Sequence, residues 1–444
     1  MARRRIAMLC LVTSVLGRPA FAAIDVLPNL QINGFGTVGA QHTEISQPWT
    51  FRRDNSEPGE SGGYGDALAD SRIGMQANYT MGSKWGAVGQ FVLKEQGHGI
   101  PPIQLVDWAF ISYQPIADLT LRLGRTSEDL FLLANYRDVG FAFPWVRPNT
   151  EFYGWLPVFY VDGIDVTETW QIGNSVWHAK TAYGPRQSTT VVVPPADAPS
   201  KSRSENIFDL GLSSEFNGIT VKLSYQLSHT SLVDFQQLDD LVQGLQQIQS
   251  LFTSLGQTEN AATASELSTR LKLDHTLTRY MGLAVTYDRG PWLLQGEVSY
   301  VNGEVLVVNG WRSYASFGYR IGPVTPFAMI GRALPKRSGT PIPYNWTADL
   351  TPALGAAPGL IEQIQLAGSQ SAQGSNLARV DQRSVSLGAR WDVAAQIALK
   401  FQWDYFHVYP NGSGLWGNNV DPAIPPVLPA AYANVFSTTL DFVF

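Results

Sequence analysis

The chain has 444 residues, 31 of them basic and 37 acidic, for a formal charge of −6. That balance disfavours a nucleic-acid partner, because polyphosphate binding needs a basic face. A single cysteine, Cys10, excludes a disulfide framework.

The first segment reads as an export signal. Arg3, Arg4 and Arg5 precede a short apolar run, Ile6 to Leu16, and Ala20-Phe21-Ala22 is a small-x-small cleavage site. The run is too short to span a bilayer as a helix. Residues 1–22 are therefore expected to be removed, leaving one domain over 23–444 with no cysteine. Loss of Arg3, Arg4, Arg5 and Arg18 leaves 27 basic against 37 acidic residues, a formal charge of −10. No later stretch of about eighteen apolar residues occurs, so no transmembrane helix is predicted.

Dyad alternation and turn signals predict about sixteen strands. The first eight are Leu30–His42, Ser71–Met81, Lys84–Leu93, Gln104–Gln114, Asp118–Arg125, Val158–Gln171, Ser175–Tyr183 and Asn206–Phe216. The second eight are Ile219–His229, Arg279–Asp288, Pro291–Val301, Gly310–Ile321, Val324–Arg332, Arg383–Trp391, Ala395–His407 and Ala433–Phe444. Tight turns such as Gly82-Ser83, Gly173-Asn174, Asn217-Gly218, Gly322-Pro323 and Asp392-Val393-Ala394 alternate with long connections. The long ones are 43–70, 94–103, 126–157, 184–205, 230–278, 302–309, 333–382 and 408–432. An all-β antiparallel barrel, with turns on one rim and loops on the other, produces this alternation. A soluble sandwich has no reason to place every long loop at one end.

Parity agrees. Ile397, Leu399, Phe401, Trp403 and Tyr405 alternate with Lys400, Gln402 and Asp404. In the last segment Phe436, Thr438, Leu440, Phe442 and Phe444 fall on one face, and Ser437, Thr439 and Asp441 on the other. Trp85, Trp311, Trp391 and Tyr405 lie near strand ends, where an interfacial girdle would sit. The signal peptide, Asn33-Gly34-Phe35-Gly36, sixteen alternating segments and terminal Phe444 together resemble Gram-negative outer-membrane porins over nearly the whole mature chain. The resemblance implies a transmembrane barrel in the bacterial outer membrane and a homotrimer. It also implies a water-filled pore for passive diffusion of small hydrophilic solutes and ions.

Leu121-Arg122-Leu123-Gly124-Arg125, followed by a long aromatic loop, is the most specific part of the likeness. In porins the third loop follows the fifth strand and folds into the lumen, so 126–157 is the expected constriction loop. It departs from the general pattern: in place of an acidic Pro-Glu-Phe-Gly-type element stands Phe143-Pro144-Trp145-Val146-Arg147-Pro148. Expected pore-lining residues in it are Glu128, Asp129, Tyr136, Arg137, Asp138, Trp145, Arg147 and Glu151. On strand parity Arg72, Asp107, Arg122, Arg312, Arg320, Arg390 and Lys400 would face them. Acids Glu128, Asp129, Asp138 and Glu151 opposite Arg312, Arg320, Arg390 and Lys400 would set up a transverse field. The plainer reading makes these charges solvated groups or structural ion pairs. Likewise the loop aromatics serve either as a slide for sugars or aromatic acids or as packing against the wall, and Arg137 and Arg147 among them would suit a carboxylated or aromatic solute.

Between strands nine and ten the period changes. Phe235, Leu238, Leu241, Val242, Leu245, Ile248, Leu251, Phe252 and Leu255 recur at three- and four-residue steps, which predicts an amphipathic helix within 230–278 ending at Gly256. Leu360–Leu366, in the 333–382 insert, is a second helical candidate. Both would cover or gate the outer mouth. Catalysis is not expected: the six histidines are scattered without His-x-x-x-His spacing, and no Gly-x-Ser-x-Gly elbow occurs. No cofactor or metal is expected either. The alternative to a pore is a plugged barrel acting as a surface-binding or adhesion protein.

Overall fold

The computed structural model describes residues 24–444, apart from 46–48, 58–59, 62–64, 98, 157–158, 192–198, 234–235, 304–308, 342, 344, 378, 411–413, 415–416 and 419–429. The expected signal peptide, 1–22, lies outside the described residues. Sixteen long strands build the wall. They are β1 Leu30–Ile45, β2 Arg72–Met81, β3 Trp85–Lys94, β4 Val106–Ile116, β5 Leu119–Ser127, β6 Tyr160–Ile172, β7 Ser175–Val191 and β8 Pro199–Phe216. They continue as β9 Ile219–Val233, β10 Thr276–Arg289, β11 Trp292–Asn302, β12 Gly310–Tyr319, β13 Val324–Pro335, β14 Gln382–Ala394, β15 Ile397–Val408 and β16 Ala431–Val443. Each pairs antiparallel with the next, and β16 closes on β1 from Phe35↔Val443 to Ile45↔Ala433. Closure removes the unpaired edges that lipid would not tolerate.

The seam depends on residues at both ends of the wall. Phe444 donates its N–H to Gly34 O at 2.9 Å and accepts from Gly34 N at 2.8 Å. A Cβ on Gly34 would meet the Phe444 ring, and one on Gly36 the Phe442 ring. Each aromatic thus lies on a glycine of the neighbouring strand and covers backbone that would otherwise face lipid.

Outward positions are apolar, as parity predicts: Leu283, Val285, Leu387, Phe401, Phe436 and Leu440 are all exposed. Aromatic pairs mark both rims. Trp85 with Tyr113 (4.5 Å) and Trp292 with Tyr319 (4.8 Å) sit at the turn rim, and Tyr300 with Trp311 (4.9 Å) at the loop rim. Asn217 (φ 50°) and Gly218 (φ 78°) take the left-handed conformations that a two-residue hairpin matched to strand twist requires.

Three expectations need correction. The connection expected at 184–205 is mostly strand, because β7 runs on to Val191 and β8 starts at Pro199. One extra residue in β8, within Glu205–Phe208, shifts its register against both β7 and β9 and reverses parity in mid-strand, so alternation breaks where the strand does not. The turn expected at Asp392–Ala394 falls at 395–396, displaced by a register shift between Asp392 and Ala394. Among the described residues four helices, not two, fill the large inserts. They follow the short turn of helix α1, Thr150–Tyr153, and are α2 Gln236–Ser254, α3 Thr258–Leu271, α4 Trp346–Leu354 and α5 Pro358–Leu377. They share one apolar core that includes Leu245, Phe252, Leu267, Trp346, Leu350 and Ile364. Asn260 Nδ2 donates to Asp349 Oδ2 at 2.9 Å, which ties the fifth loop to the seventh. No described helix is long and apolar enough to cross a membrane.

Candidate functional site

The third loop (L3), residues 128–159, follows β5 and is held by inward-facing side chains around the wall. Its first arm runs along β7 to β11. Glu128 pairs with Arg186. Lys222 Nζ donates to Asp129 Oδ1 at 2.7 Å and to Phe131 O at 3.0 Å. Leu132 N donates to Glu297 Oε2 at 3.0 Å, and the Tyr153 hydroxyl donates to the same carboxylate.

The middle of the loop reaches the opposite wall. Lys94 Nζ lies 3.1 Å from Asp138 Oδ2, and Arg72 Nε donates to Asp138 O at 2.7 Å. Lys400 Nζ donates to Gly140 O at 2.5 Å and Trp145 O at 2.8 Å. Arg390 Nη1 donates to Phe141 O at 2.5 Å and Phe143 O at 3.2 Å. Trp145 Nε1 donates to Ser316 Oγ at 2.7 Å.

Arg147 is the most heavily bonded residue of the loop. It donates to Asp70 through Nε (3.0 Å) and Nη2 (2.5 Å), to Asp404 Oδ2 at 2.7 Å, to Gln41 Oε1 at 3.2 Å and to Ser437 Oγ at 2.5 Å. Its side chain is 2% exposed. The two carboxylates hold this guanidinium's proton more tightly than usual: burial acts against the charge, but Asp70 and Asp404 outweigh it. Glu151 has no such cation. It accepts from Gln382 Nε2 (2.8 Å), Ser384 Oγ (2.7 Å) and Asn149 Nδ2 (2.9 Å), and burial pushes its carboxyl above the ordinary range despite those donors. Gly331 of β13 leaves the room, since a Cβ there would meet Asn149, Glu151 and Ser384. Thr150-Glu151-Phe152-Tyr153-Gly154 keeps acid, phenylalanine and glycine in the order of the Pro-Glu-Phe-Gly-type element that the sequence reading found missing, with a tyrosine inserted.

Loop aromatics pack against the wall. Phe131 lies edge-on to Phe152 (5.6 Å), Phe159 (4.9 Å) and Tyr280 of β10 (5.3 Å), inside a cluster that also buries Trp145, Tyr153, Tyr314 and Met329. On the other side of the loop a solvent-open recess remains. Its lining includes Gln90, Asp107 and Trp108 from the wall, and Tyr136, Arg137 and Asp138 from the loop. Arg137 stacks over Phe159 at 3.7 Å and donates to Leu156 O at 3.2 Å. Burial alone would raise the Asp138 carboxyl, but Lys94, Arg137, Arg72 and Arg53 hold it well below the usual range.

The residues expected to line the passage are thus brought together in part. Tyr136, Arg137, Asp138 and Asp107 share the recess. Glu128, Asp129, Trp145, Arg147, Glu151, Arg72, Arg390 and Lys400 are anchors between loop and wall. The expected facing of loop acids and late-strand bases is not formed, because Arg390 and Lys400 bind loop carbonyls instead. Arg320 lies at the turn rim, 2.6 Å from Asp288, and Arg122 pairs with Asp165 at 2.8 Å. Sequence reading missed Lys94, Arg186, Asp70, Gln41 and Ser437. For Lys94 and Ser437, strand parity was an available signal. Arg186 keeps the inward parity of Lys180 and Ala182 but falls in the expected connection 184–205, and Asp70 lies in an irregular loop.

A closed sixteen-stranded barrel with a lipid-facing apolar band and a loop inside its lumen defines an outer-membrane channel. A profile of the Gram-negative porins matches residues 7–414, and the chain belongs to that family. The fold is similar to that of the outer membrane channel DcaP of Acinetobacter baumannii, at 11% identity, covering 96% of this chain and 100% of that one, with a TM-score of 0.50. Also similar are OmpF of Salmonella typhi solved with daunomycin (12%, 93% and 98%, 0.47) and the anion-selective porin from Comamonas acidovorans (10%, 94% and 100%, 0.44). No curated protein matches the sequence. The protein resides in the bacterial outer membrane, within its lipid bilayer, and porins as a family are non-enzymatic channels.

Proposed function

We propose that the chain forms a water-filled channel for passive diffusion of small hydrophilic solutes and ions, with selectivity set by 126–157 and the wall charges facing it. The observation that carries this reading is the recess beside Tyr136, Arg137 and Asp138. Acidic Asp107 and Asp138 and basic Arg137 border one lumenal space, with Lys94 bonded to Asp138. Opposed charges across a narrow gap orient dipolar solutes, and a firmly anchored loop keeps the gap at a fixed width. The functional unit is then the single barrel domain 23–444 after loss of 1–22, assembled as a homotrimer. Strands β2–β5, of 9 to 11 residues, lower the wall on one side relative to β6–β9, of 13 to 18, which supports contact with neighbouring barrels there.

A second reading, a plugged barrel that binds at its surface, is favoured by the spread of L3 anchors from β7 through β16 to β1 and β3. Planar-bilayer recording in a salt gradient separates the two. Ohmic steps whose reversal potential shifts towards anions in Asp138→Asn support the channel. Silence from correctly folded barrels supports the plug.

A further inference from the structure

We infer that Arg312, Ser299 and Trp155 form a carboxylate-binding subsite on the lumen wall. The inference deepens the channel reading and rests on it. Arg312, on the inward face of β12, is 1% exposed, yet its Nε and Nη1 have no hydrogen-bond partner. No ion pair to it exists among the described residues. The other buried bases of the lumen wall behave differently: Lys400, Arg390, Lys222, Lys94, Arg72 and Arg186 each bind a carboxylate or a carbonyl of the loop. A guanidinium left unpaired out of water is strongly disfavoured, so its position demands a counter-group.

The neighbouring groups say what that counter-group is. Ser299 of β11 stands directly across from Arg312 in register, and its buried hydroxyl makes no bond of ordinary geometry, with the equally unbonded Tyr280 hydroxyl as its neighbour. The Trp155 ring lies 4.9 Å from the guanidinium, and its buried Nε1–H is unpartnered too. Guanidinium and indole only donate, and serine donates when an acceptor is offered. With the buried Tyr280 hydroxyl, four groups with unmet donors around a single positive charge fit an acceptor-only, singly charged group. A carboxylate has two oxygens for these donors and neutralises the site. A phosphate dianion would leave excess negative charge, and chloride lacks the paired oxygens. The subsite therefore takes solutes bearing one carboxylate, and the Trp155 ring must shift to admit them.

The test uses full-length protein in detergent, with thermal unfolding followed while sodium acetate replaces sodium chloride at constant ionic strength. Wild type is expected to show a saturable rise in midpoint with acetate. Arg312→Met should raise the half-saturating acetate concentration at least about tenfold, since a charge-assisted hydrogen bond is lost. Without acetate it should melt no lower than wild type, because it removes an unpaired buried charge. Ser299→Ala is the second variant, expected to weaken the acetate response by a few fold. Equal midpoints in acetate and chloride, or an unaltered response in Arg312→Met, would overturn the inference. The readout needs no ion current, so its failure is distinct from failure of the channel reading.

Discussion

Arg147→Met should release the middle of L3 from the wall. The residue ties the loop to four elements at once: Asp70 before β2, Asp404 on β15, Gln41 on β1 and Ser437 on β16. Truncating it leaves Asp70 and Asp404 buried without their cation. Removal of one partner of a buried pair costs about 3–5 kcal/mol. At about 1.4 kcal/mol per tenfold, the released loop gains a factor on the order of 10² to 10³ in population. Single-channel recording reads that shift as larger mean conductance with slow, loop-dependent noise. Asp70→Asn and Asp404→Asn placed in the same chain as Arg147→Met remove the stranded charges and should recover about half of the effect or more, because members of one network are not additive. A variant with wild-type conductance, quiet steps and an unchanged unfolding midpoint would refute the claim that this network positions the loop.

Other consequences follow from single contacts. Gly331→Val fills the space that Glu151 occupies, and overpacking of about 1–3 kcal/mol should expose L3 to limited proteolysis. Trp346→Ala removes the centre of the core shared by α2–α5, 1% exposed, at about 3–5 kcal/mol. Amide exchange should then rise in α2–α5 and stay low in β1–β16. The two L3 carboxylates respond to pH with opposite signs. Asp138, held below its ordinary value, contributes stability above the unfolded carboxylate range that is lost only as pH falls through its lowered value. Glu151, held above its ordinary value, stabilises the loop fully at low pH and less as pH rises through that raised value. Glu151→Gln should therefore flatten the alkaline side of a loop-protection profile, and Asp138→Asn the acid side.

The wall was legible because lipid outside and water inside force a two-residue period on every strand. Terminal Phe444, the Asn217-Gly218 hairpin and the tryptophans at strand ends needed nothing beyond that rule. Legibility stopped where the period stops. At Glu205–Phe208 of β8 one extra residue reverses parity, and continuous strand looks like loop. Helix α4 carries Pro352 and α5 carries Gly359, Gly368 and Gly374, so local propensity was weak; their shared core with α2 and α3 is set by contacts between two loops about a hundred residues apart. In L3 the residue list was readable but the pairing was not, because Arg147 finds Asp404 across 257 positions.

The bases of the late strands show why counting charges misleads in such a lumen. Irregular backbone at membrane depth must have its polar groups met by protein or by water. Among its described residues L3 has only two short helical turns, Gly140–Ala142 and Thr150–Tyr153, so its other carbonyls need donors from the wall. Lys400 and Arg390 supply them to Gly140, Trp145, Phe141 and Phe143, and Lys222 and Arg72 do the same for Phe131 and Asp138. Lys400 pairs in addition with Asp441 at 3.0 Å, and both side chains are fully buried. A base used in this way fixes the loop and is largely lost to the passing solute. On the proposed channel reading, selectivity then falls to the charges at the recess, Asp107, Arg137 and Asp138, and to Arg312. Lys400→Met should consequently disturb loop order more than ion preference, whereas Asp107→Asn should shift reversal potential with little change in unfolding midpoint.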